Sequence, residues 1–314
     1  MRICPITYQS IESGKYSQEG VKRLSPSLKF LNDLAFTKEE QLREAAIRAN
    51  KLSIQGVQPK LSAKLSIKKG EFELIDKGGT FILKPQNLIF KELPENEDLT
   101  MRLASTIGLN IPLHGLIYSK DGSLTYFIKR FDRYGKNKKY AVEDFAQLAG
   151  KTRDTKYNYS MEKVVKLLDL YCTFPAIEKS KLFKLTLFNY LVGNEDMHLK
   201  NFSIITQDDV VKMSPHYDLI NTTIVMDNNA IDEIALPLNG RKKKLTKKLL
   251  VDYFGGEILG LNSRIISQTL KTIYEAKRIW TKTISISFLS KDMKSKYLDL
   301  LEKRWNILYD IATH

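Results

Sequence analysis

Leu182-Phe183-Lys184-Leu185-Thr186-Leu187-Phe188-Asn189-Tyr190-Leu191-Val192-Gly193-Asn194-Glu195-Asp196-Met197-His198-Leu199-Lys200-Asn201-Phe202 is the stretch from which the rest of the chain can be read. Leu182, Phe183, Leu185, Leu187, Phe188, Tyr190, Leu191 and Val192 put apolar side chains on every side of a helix, so the helix is expected to be buried within a larger body. Gly193 stops it. A polar loop follows, in which Asp196 and Asn201 stand five residues apart. Phe202 to Ile205 and Val210 to Met213 read as short strands joined by the turn Gln207-Asp208-Asp209. Such a hairpin returns the chain on itself, so Asp218 is expected to approach Asn201.

A carboxylate at the end of a rigid helix can take a proton from an attacking hydroxyl. An amide and a second carboxylate are hard oxygen donors able to share a magnesium ion, which keeps several waters and takes few protein ligands. The spacing Asp196-x-x-x-x-Asn201 is that of the protein-kinase loop holding base and metal ligand, and Asp218 falls where the second metal ligand comes. The flanking residues differ: no HRD precedes Asp196, and Asp218 lies in Tyr217-Asp218-Leu219 instead of DFG.

Upstream, Thr37 with Glu39 and Glu40 before an Ala-rich run reads as a helix start with acid in its first turn. Leu61, Ala63, Leu65 and Ile67 alternate as in a half-buried strand, Lys69-Gly70 turns the chain, and Glu71 to Ile75 returns. Thr80 to Pro85 is a further strand with Lys84 as its odd member. Pro94 to Leu109 reads as a helix with Leu99, Leu103, Ala104 and Ile107 on one face. Leu113 to Tyr118 and Leu124 to Arg130 form a hairpin across Asp121-Gly122. This order of strands, lysine strand, helix and hairpin is that of a kinase small lobe. Beyond Arg133 helical spacing dominates, at Met161 to Tyr171 and again at Tyr297 to Ala312. The reading is therefore an α+β, two-lobed protein-kinase-like fold: a β-rich N-terminal lobe over 1–130 and a mostly helical C-terminal lobe over 131–314.

Lys84 at the end of an apolar strand is costly to bury without an anion. Glu97 is the first candidate for a structural ion pair, Glu95 the second. The loop Ser53 to Lys60 holds a single glycine, Gly56, which allows close backbone approach, and Lys60 could reach a phosphate oxygen. Ser53 is a candidate self-modification site. A phosphate there adds nearly two negative charges beside those of a nucleotide and would expel the loop. His198 lies between base and metal ligand, where it could position the loop or simply pack; His114 and His216 read as structural. Glu143, Asp144 and Gln147 read as first-turn helix residues.

The 314 residues carry a formal net charge of +14, spread along the chain with concentrations at 136–139 and 241–248. These runs read as solvated faces, and no helix-turn-helix or zinc-finger pattern accompanies them, which argues against direct DNA binding. Two cysteines, Cys4 and Cys172, argue against both a disulfide framework and a cysteine-based metal site. With no signal peptide and no bilayer-length apolar run, the expectation is a cytoplasmic protein without membrane contact.

Taken together, Ser-Ile-Gln-Gly-Val-Gln-Pro-Lys (53–60), Phe-Ile-Leu-Lys-Pro (81–85), Ile-Lys-Arg-Phe-Asp-Arg (128–133), Glu-Asp-Phe-Ala-Gln (143–147), Gly-Asn-Glu-Asp-Met-His-Leu-Lys-Asn-Phe (193–202) and Tyr-Asp-Leu (217–219) resemble the HipA family of bacterial toxin kinases. Cys-Pro-Ile-Thr-Tyr (4–8) resembles the opening of its short HipT branch. The resemblance implies an ATP- and Mg2+-dependent Ser/Thr kinase of a toxin–antitoxin system that phosphorylates an aminoacyl-tRNA synthetase and stalls translation. By position it makes Asp196 the base and Asn201 and Asp218 the magnesium ligands. It places ATP against Ser53, Ile54, Gln55, Gly56, Val57, Gln58, Lys60, Lys84, Lys129, Arg130, Phe131 and His198. Where Lys129 stands the family often has a glutamate, so backbone contacts are implied there. Ser53 matches the family's autophosphorylated, self-inhibitory serine, and Gln55 stands where some relatives carry a second one. The implied partners are a helix-turn-helix antitoxin, through which alone DNA would be contacted, and a small HipS-like companion. The residues by themselves leave open a small-molecule kinase of the same fold, or an inactive kinase acting as a binding module.

Overall fold

A computed structural model describes residues 2–48, 58–226 and 232–311. By contacts the chain divides into two compact units. The first comprises 1–99, 112–138 and 286–289; the second comprises 100–111, 139–285 and 290–314. Residues 100–111 thus group with the later helices.

In the first unit, Arg2–Ile3 (β1) pairs antiparallel with Ser10–Ile11 (β2). The short helix Gln18–Leu24 (α1) starts at Ser17, whose hydroxyl accepts from the Gly20 amide at 3.0 Å. This segment carries no period in the sequence and reads as irregular. It folds because single side chains, Cys4, Ile6, Val21 and Leu24, are buried in the core. Lys38–Arg48 (α2) opens on a reciprocal cap: the Glu40 amide donates to Thr37 Oγ1 at 3.2 Å, and the Thr37 amide to Glu40 Oε2 at 2.8 Å.

Five antiparallel strands form the sheet. Leu61–Ser66 (β3), Glu71–Leu74 (β4), Phe81–Lys84 (β5), His114–Tyr118 (β6) and Leu124–Lys129 (β7) lie in the order β4-β3-β5-β7-β6. The register sets Phe81 against Lys129 and Lys84 against Tyr126. Phe72, Phe81 and Phe127 meet with ring centroids 5.0 to 6.3 Å apart. They close the core under Leu28, Leu31 and Leu34. Leu93–Thr106 (α3) connects β5 to β6, and every residue from Leu93 to Thr100 is buried.

A two-residue ladder, Arg133–Tyr134 (β8) with Lys138–Lys139 (β9), leads into the second unit. There Ala141–Asp144 (β10), Ser203–Gln207 (β11) and Val210–Met213 (β12) make a three-stranded antiparallel sheet. Glu143 therefore lies in a strand and not in a first helical turn. Asp144 ends that strand and caps Phe145–Leu148 (α4) in a reciprocal box with Gln147. The longer helices are Met161–Tyr171 (α5), Pro175–Val192 (α6), Ser263–Ile286 (α7) and Lys291–Tyr309 (α8). The last begins six residues before the apolar spacing announces it, because Ser290 caps it, and Asp310 in the left-handed region ends it. Phe188, Trp280 and Trp305 interlock edge to face at 5.6 and 6.0 Å around the buried α6. Among the described residues no helix is long and apolar enough to cross a membrane. Both cysteines are buried free thiols.

Candidate active site

Helix α6 begins with Pro175 at its first turn, where a missing amide hydrogen is tolerated. It ends at Gly193, whose φ of +73° is open to glycine and strained for other residues. A Cβ at Gly193 would meet Leu300 Cδ2 at 2.5 Å, Thr223 Oγ1 at 2.7 Å and Asn221 Oδ1 at 2.8 Å, so only glycine fits. Its carbonyl accepts from the amides of Thr222 at 2.9 Å and Thr223 at 3.2 Å. The next residue, Asn194, is buried and bonds back to Asn189 through amide and side chain. Glu195 is clamped harder. Its carboxylate accepts from Thr223 Oγ1 at 2.7 Å and from Arg304 of α8 at 2.9 Å, while the same guanidinium donates to the Tyr190 carbonyl at 2.6 Å. Arg304 thus supplies a cation at the helix C-terminus and fixes the residue before Asp196.

From this anchored base Asp196 projects a side chain that is 41% exposed. Its backbone carbonyl accepts from Asn201 Nδ2 at 2.9 Å, which ties the two residues of the five-residue spacing together. With the amide nitrogen used in that bond, the amide oxygen of Asn201 is the group left for a cation. Asn201 closes a single 3-10 turn, Leu199–Asn201. Lys200, within that turn, bonds Asp144 at 2.9 Å, so the cap of α4 also holds the loop.

Asp218 follows β12, and its neighbour Tyr217 does the joining. The Tyr217 hydroxyl donates to the Lys200 carbonyl at 3.1 Å and bonds Ser203 Oγ. The residues flanking Asn201 are thereby brought onto the residue preceding Asp218. Asp218 itself sits at φ +55°, a conformation of the kind that persists only where the surroundings enforce it.

His198 is buried. The ammonium of Lys156 donates to its Nε2 at 2.7 Å, and the same nitrogen lies 3.8 Å from Asp196 Oδ1. Desolvation pushes the imidazole pKa down, the Lys156 charge adds to this, and Asp196 and Asp218 oppose it. Tyr157, next to Lys156, donates its hydroxyl to Asp196 Oδ1. Burial, followed by the Asp196 charge, pushes that phenol up. Neither Lys156 nor Tyr157 carries a sequence signal, since they lie in a polar stretch with no period.

In the first unit Lys84 Nζ lies 2.6 and 2.8 Å from the two carboxylate oxygens of Glu97, with the side chains 3% and 1% exposed. The other acids of α3 are also met. Glu95 accepts from Gln86 at 2.8 and 3.0 Å, and Asp98 bonds His114 Nδ1 at 2.9 Å. Burial pushes the Glu95 carboxyl up to about 7. Gln58 and Lys60 precede β3 and are half-buried. The amides of Lys129 and Arg130 donate to the carbonyls of Leu113 at 2.7 Å and Thr80 at 2.9 Å, and Arg130 pairs with Asp132. Phe131 is half-buried. Ser53, Ile54, Gln55, Gly56 and Val57 lie outside the described residues.

A family model described as the HipA-like C-terminal domain matches residues 52–280. A Haemophilus influenzae protein named "Putative kinase" is 28% identical over 340 residues, spanning 98% of each chain. The Shewanella oneidensis "Serine/threonine-protein kinase toxin HipA" is 29% identical over 197 residues, which cover 56% of this chain but only 45% of the toxin. Among solved structures, HipA from the Shewanella oneidensis HipA, HipB and operator DNA complex shares the fold with a TM-score of 0.68 at 21% identity, over 97% of this chain and 83% of that one. The Helicobacter pylori proinflammatory kinase CtkA follows with a TM-score of 0.54 at 16% identity, over 79% of this chain and 94% of that one. At these identities the solved structures establish the fold: mixed α+β, two-lobed and kinase-like.

Proposed function

Because the chain belongs to the HipA family of kinase-fold proteins, we propose that it is an ATP-dependent Ser/Thr protein kinase in which Asp196 is the base. The observation that carries this reading is the Asn201–Asp196 bond at 2.9 Å. It locks a carboxylate and a hard oxygen donor into one loop, itself fixed by Gly193, Glu195 and Arg304.

Phosphoryl transfer asks little covalent chemistry of a protein, and positioning with charge neutralisation does most of the work. Asp196 orients the acceptor hydroxyl and takes its proton. The amide oxygen of Asn201 and the carboxylate of Asp218 hold Mg2+. These two ligands fit an ion that completes its shell with water and phosphate oxygens. When bound, the ion neutralises charge on the phosphates. By the family motifs, Lys60 and Lys84, the latter oriented by Glu97, are the phosphate contacts of the first unit, with Gln58 and the backbone of Lys129 to Phe131 as its further nucleotide contacts; His198 is the nucleotide contact assigned to the second unit. This set, residues 53–57 included, is assigned from the sequence motifs.

The finer assignment follows the same motifs. The acceptor is an aminoacyl-tRNA synthetase, Ser53 is self-phosphorylated as an off-switch, and the protein works in the cytoplasm as the toxin of a toxin–antitoxin pair. Its partners are a helix-turn-helix antitoxin and, on the HipT reading of residues 4–8, a HipS-like companion. The H. influenzae and S. oneidensis relatives, both named as kinases, support the kinase reading. The test is Asp196→Asn: phosphate transfer from ATP is lost while circular dichroism and melting temperature stay as in the wild type. Transfer that survives the substitution refutes the assignment of the base.

A further inference from the structure

A base that accepts a proton from an incoming hydroxyl must present a free oxygen to it. Here one of the two carboxylate oxygens of Asp196, Oδ1, already has a hydroxyl on it, that of Tyr157. The phenol stands on the base as an acceptor alcohol would, with its O–H directed at Oδ1. We propose that Tyr157 holds the acceptor's place on Asp196, and that a phosphoryl acceptor binds by displacing it. Tyr157 is then a residue that sets acceptor access and selectivity, and the inference rests on Asp196 being the base.

The contacts around Tyr157 suit a displaceable occupant. Its backbone neighbourhood is held: the Lys156 carbonyl accepts from the Leu199 amide at 3.3 Å, and the Lys156 ammonium bonds His198 at 2.7 Å. The 152–159 segment is further closed by the bonds of Thr152 and Asn158 to Thr155, both at 2.9 Å. The side chain is held more loosely. Its ring meets the His198 ring edge-on at 5.0 Å, with the ammonium groups of Lys156 and Lys242 at 5.0 and 6.0 Å from its centroid. More than a third of the residue remains exposed. The hydroxyl can therefore leave Asp196 by a rotation of one side chain while the backbone stays in place. The phenol is protonated at neutral pH, because burial and Asp196 both disfavour its anion, so it donates and cannot itself take the acceptor's proton.

The arrangement gives selectivity as well as delay. An acceptor must offer a hydrogen bond to Asp196 at least as good as the phenol's, and it must bring enough surface to move the ring aside. Water offers neither advantage. An idle nucleotide-loaded site would then lose little ATP to hydrolysis while its oxygen is covered.

The experiment measures ADP release from Mg2+-ATP with water as the only acceptor, for wild type, Tyr157→Phe, Tyr157→Leu and Tyr157→Phe combined with Asp196→Asn. Tyr157→Phe keeps the ring contacts and removes only the hydroxyl; Tyr157→Leu removes both, and melting temperatures show that each variant is folded. Loss of a hydrogen bond to a charged group is expected to raise kcat for hydrolysis about tenfold to a hundredfold in both variants, with KM for ATP unchanged. A fall in kcat, or no change, overturns the proposal, since the tyrosine would then only position Asp196 or pack against His198. If adding Asp196→Asn to Tyr157→Phe leaves the raised rate unchanged, Asp196 is not the base, the kinase reading itself fails, and the inference falls with it.

Discussion

Replacing Lys84 by methionine tests the buried ion pair in a way that its geometry makes quantitative. The side chain keeps most of its length and loses its charge, so the main consequence falls on Glu97. That carboxylate is 1% exposed, and both of its oxygens are bonded to the ammonium removed. Removing one partner of a buried pair costs about 3 to 5 kcal/mol. A second route gives the same scale. The stranded carboxylate can take a proton, and protonating a glutamate of reference pKa about 4.3 at pH 7 costs about 2.7 units, or about 3.7 kcal/mol. The cheaper escape sets the ceiling, so the deficit at pH 7 is about 3 to 4 kcal/mol. It shrinks as pH falls, to about 1 kcal/mol at pH 5, where protonation costs about 0.7 units. In a unit of this size the deficit at pH 7 corresponds to a drop of about 10 °C in melting temperature. Neutralising the survivor as well, in Lys84→Met with Glu97→Gln, should restore most of it. Both tryptophans lie in the second unit, so fluorescence would miss the event. Far-ultraviolet circular dichroism and hydrogen exchange of β5 and α3 report it. A single variant as stable as wild type at pH 7, or a double variant no better than the single, refutes the reasoning.

Glu95 gives a pH dependence of known sign. Its folded pKa of about 7 lies above the free value of 4.5, so the folded state holds the extra proton between these values and stability falls as pH rises from about 4.5 to about 7, by about 3 kcal/mol in all. Glu95→Gln should flatten the melting-temperature profile over that window, and a profile unchanged by the substitution refutes the assignment. At Gly193, alanine meets both a φ of +73° and three contacts below 3 Å. Gly193→Ala should therefore cost about 2 to 4 kcal/mol in chemical denaturation, and a variant of wild-type stability would show that the loop start is not so confined.

Much of this fold is legible in the sequence, and the physical reason is range. The hairpin across Asp121-Gly122, the strand pair around Lys69-Gly70, the helix 161–171 and the loop from Gly193 to Asn201 are written by neighbours within a few residues. Turn chemistry and hydrophobic period act at that distance. The N-terminal elements β1, β2 and α1 escaped because scattered buried residues such as Cys4 and Ile6 create no period. Glu143-Asp144 read as a helix start, and the strand there was hidden, because its pairing partner is β11, some sixty residues later. The grouping of 100–111 with the later helices was hidden for the same reason.

The candidate site divides along the same line. Asp196, Asn201 and Asp218 stand out because a spacing and a hairpin carry them. What makes Asp196 competent or blocked comes from far away in the chain: Arg304 fixes Glu195 across 109 positions, and Tyr157 reaches Asp196 across 39. Neither position is marked by its neighbours, since an arginine on an amphipathic helix and a tyrosine in a polar loop are ordinary residues in ordinary places. A motif therefore names the groups that do chemistry, while long-range contacts decide which of their atoms are free to do it. Asp196 Oδ1 is the case at hand. On the proposed reading Asp196 takes a proton, and the Tyr157 hydroxyl bonded to Oδ1 is what an acceptor would first have to displace.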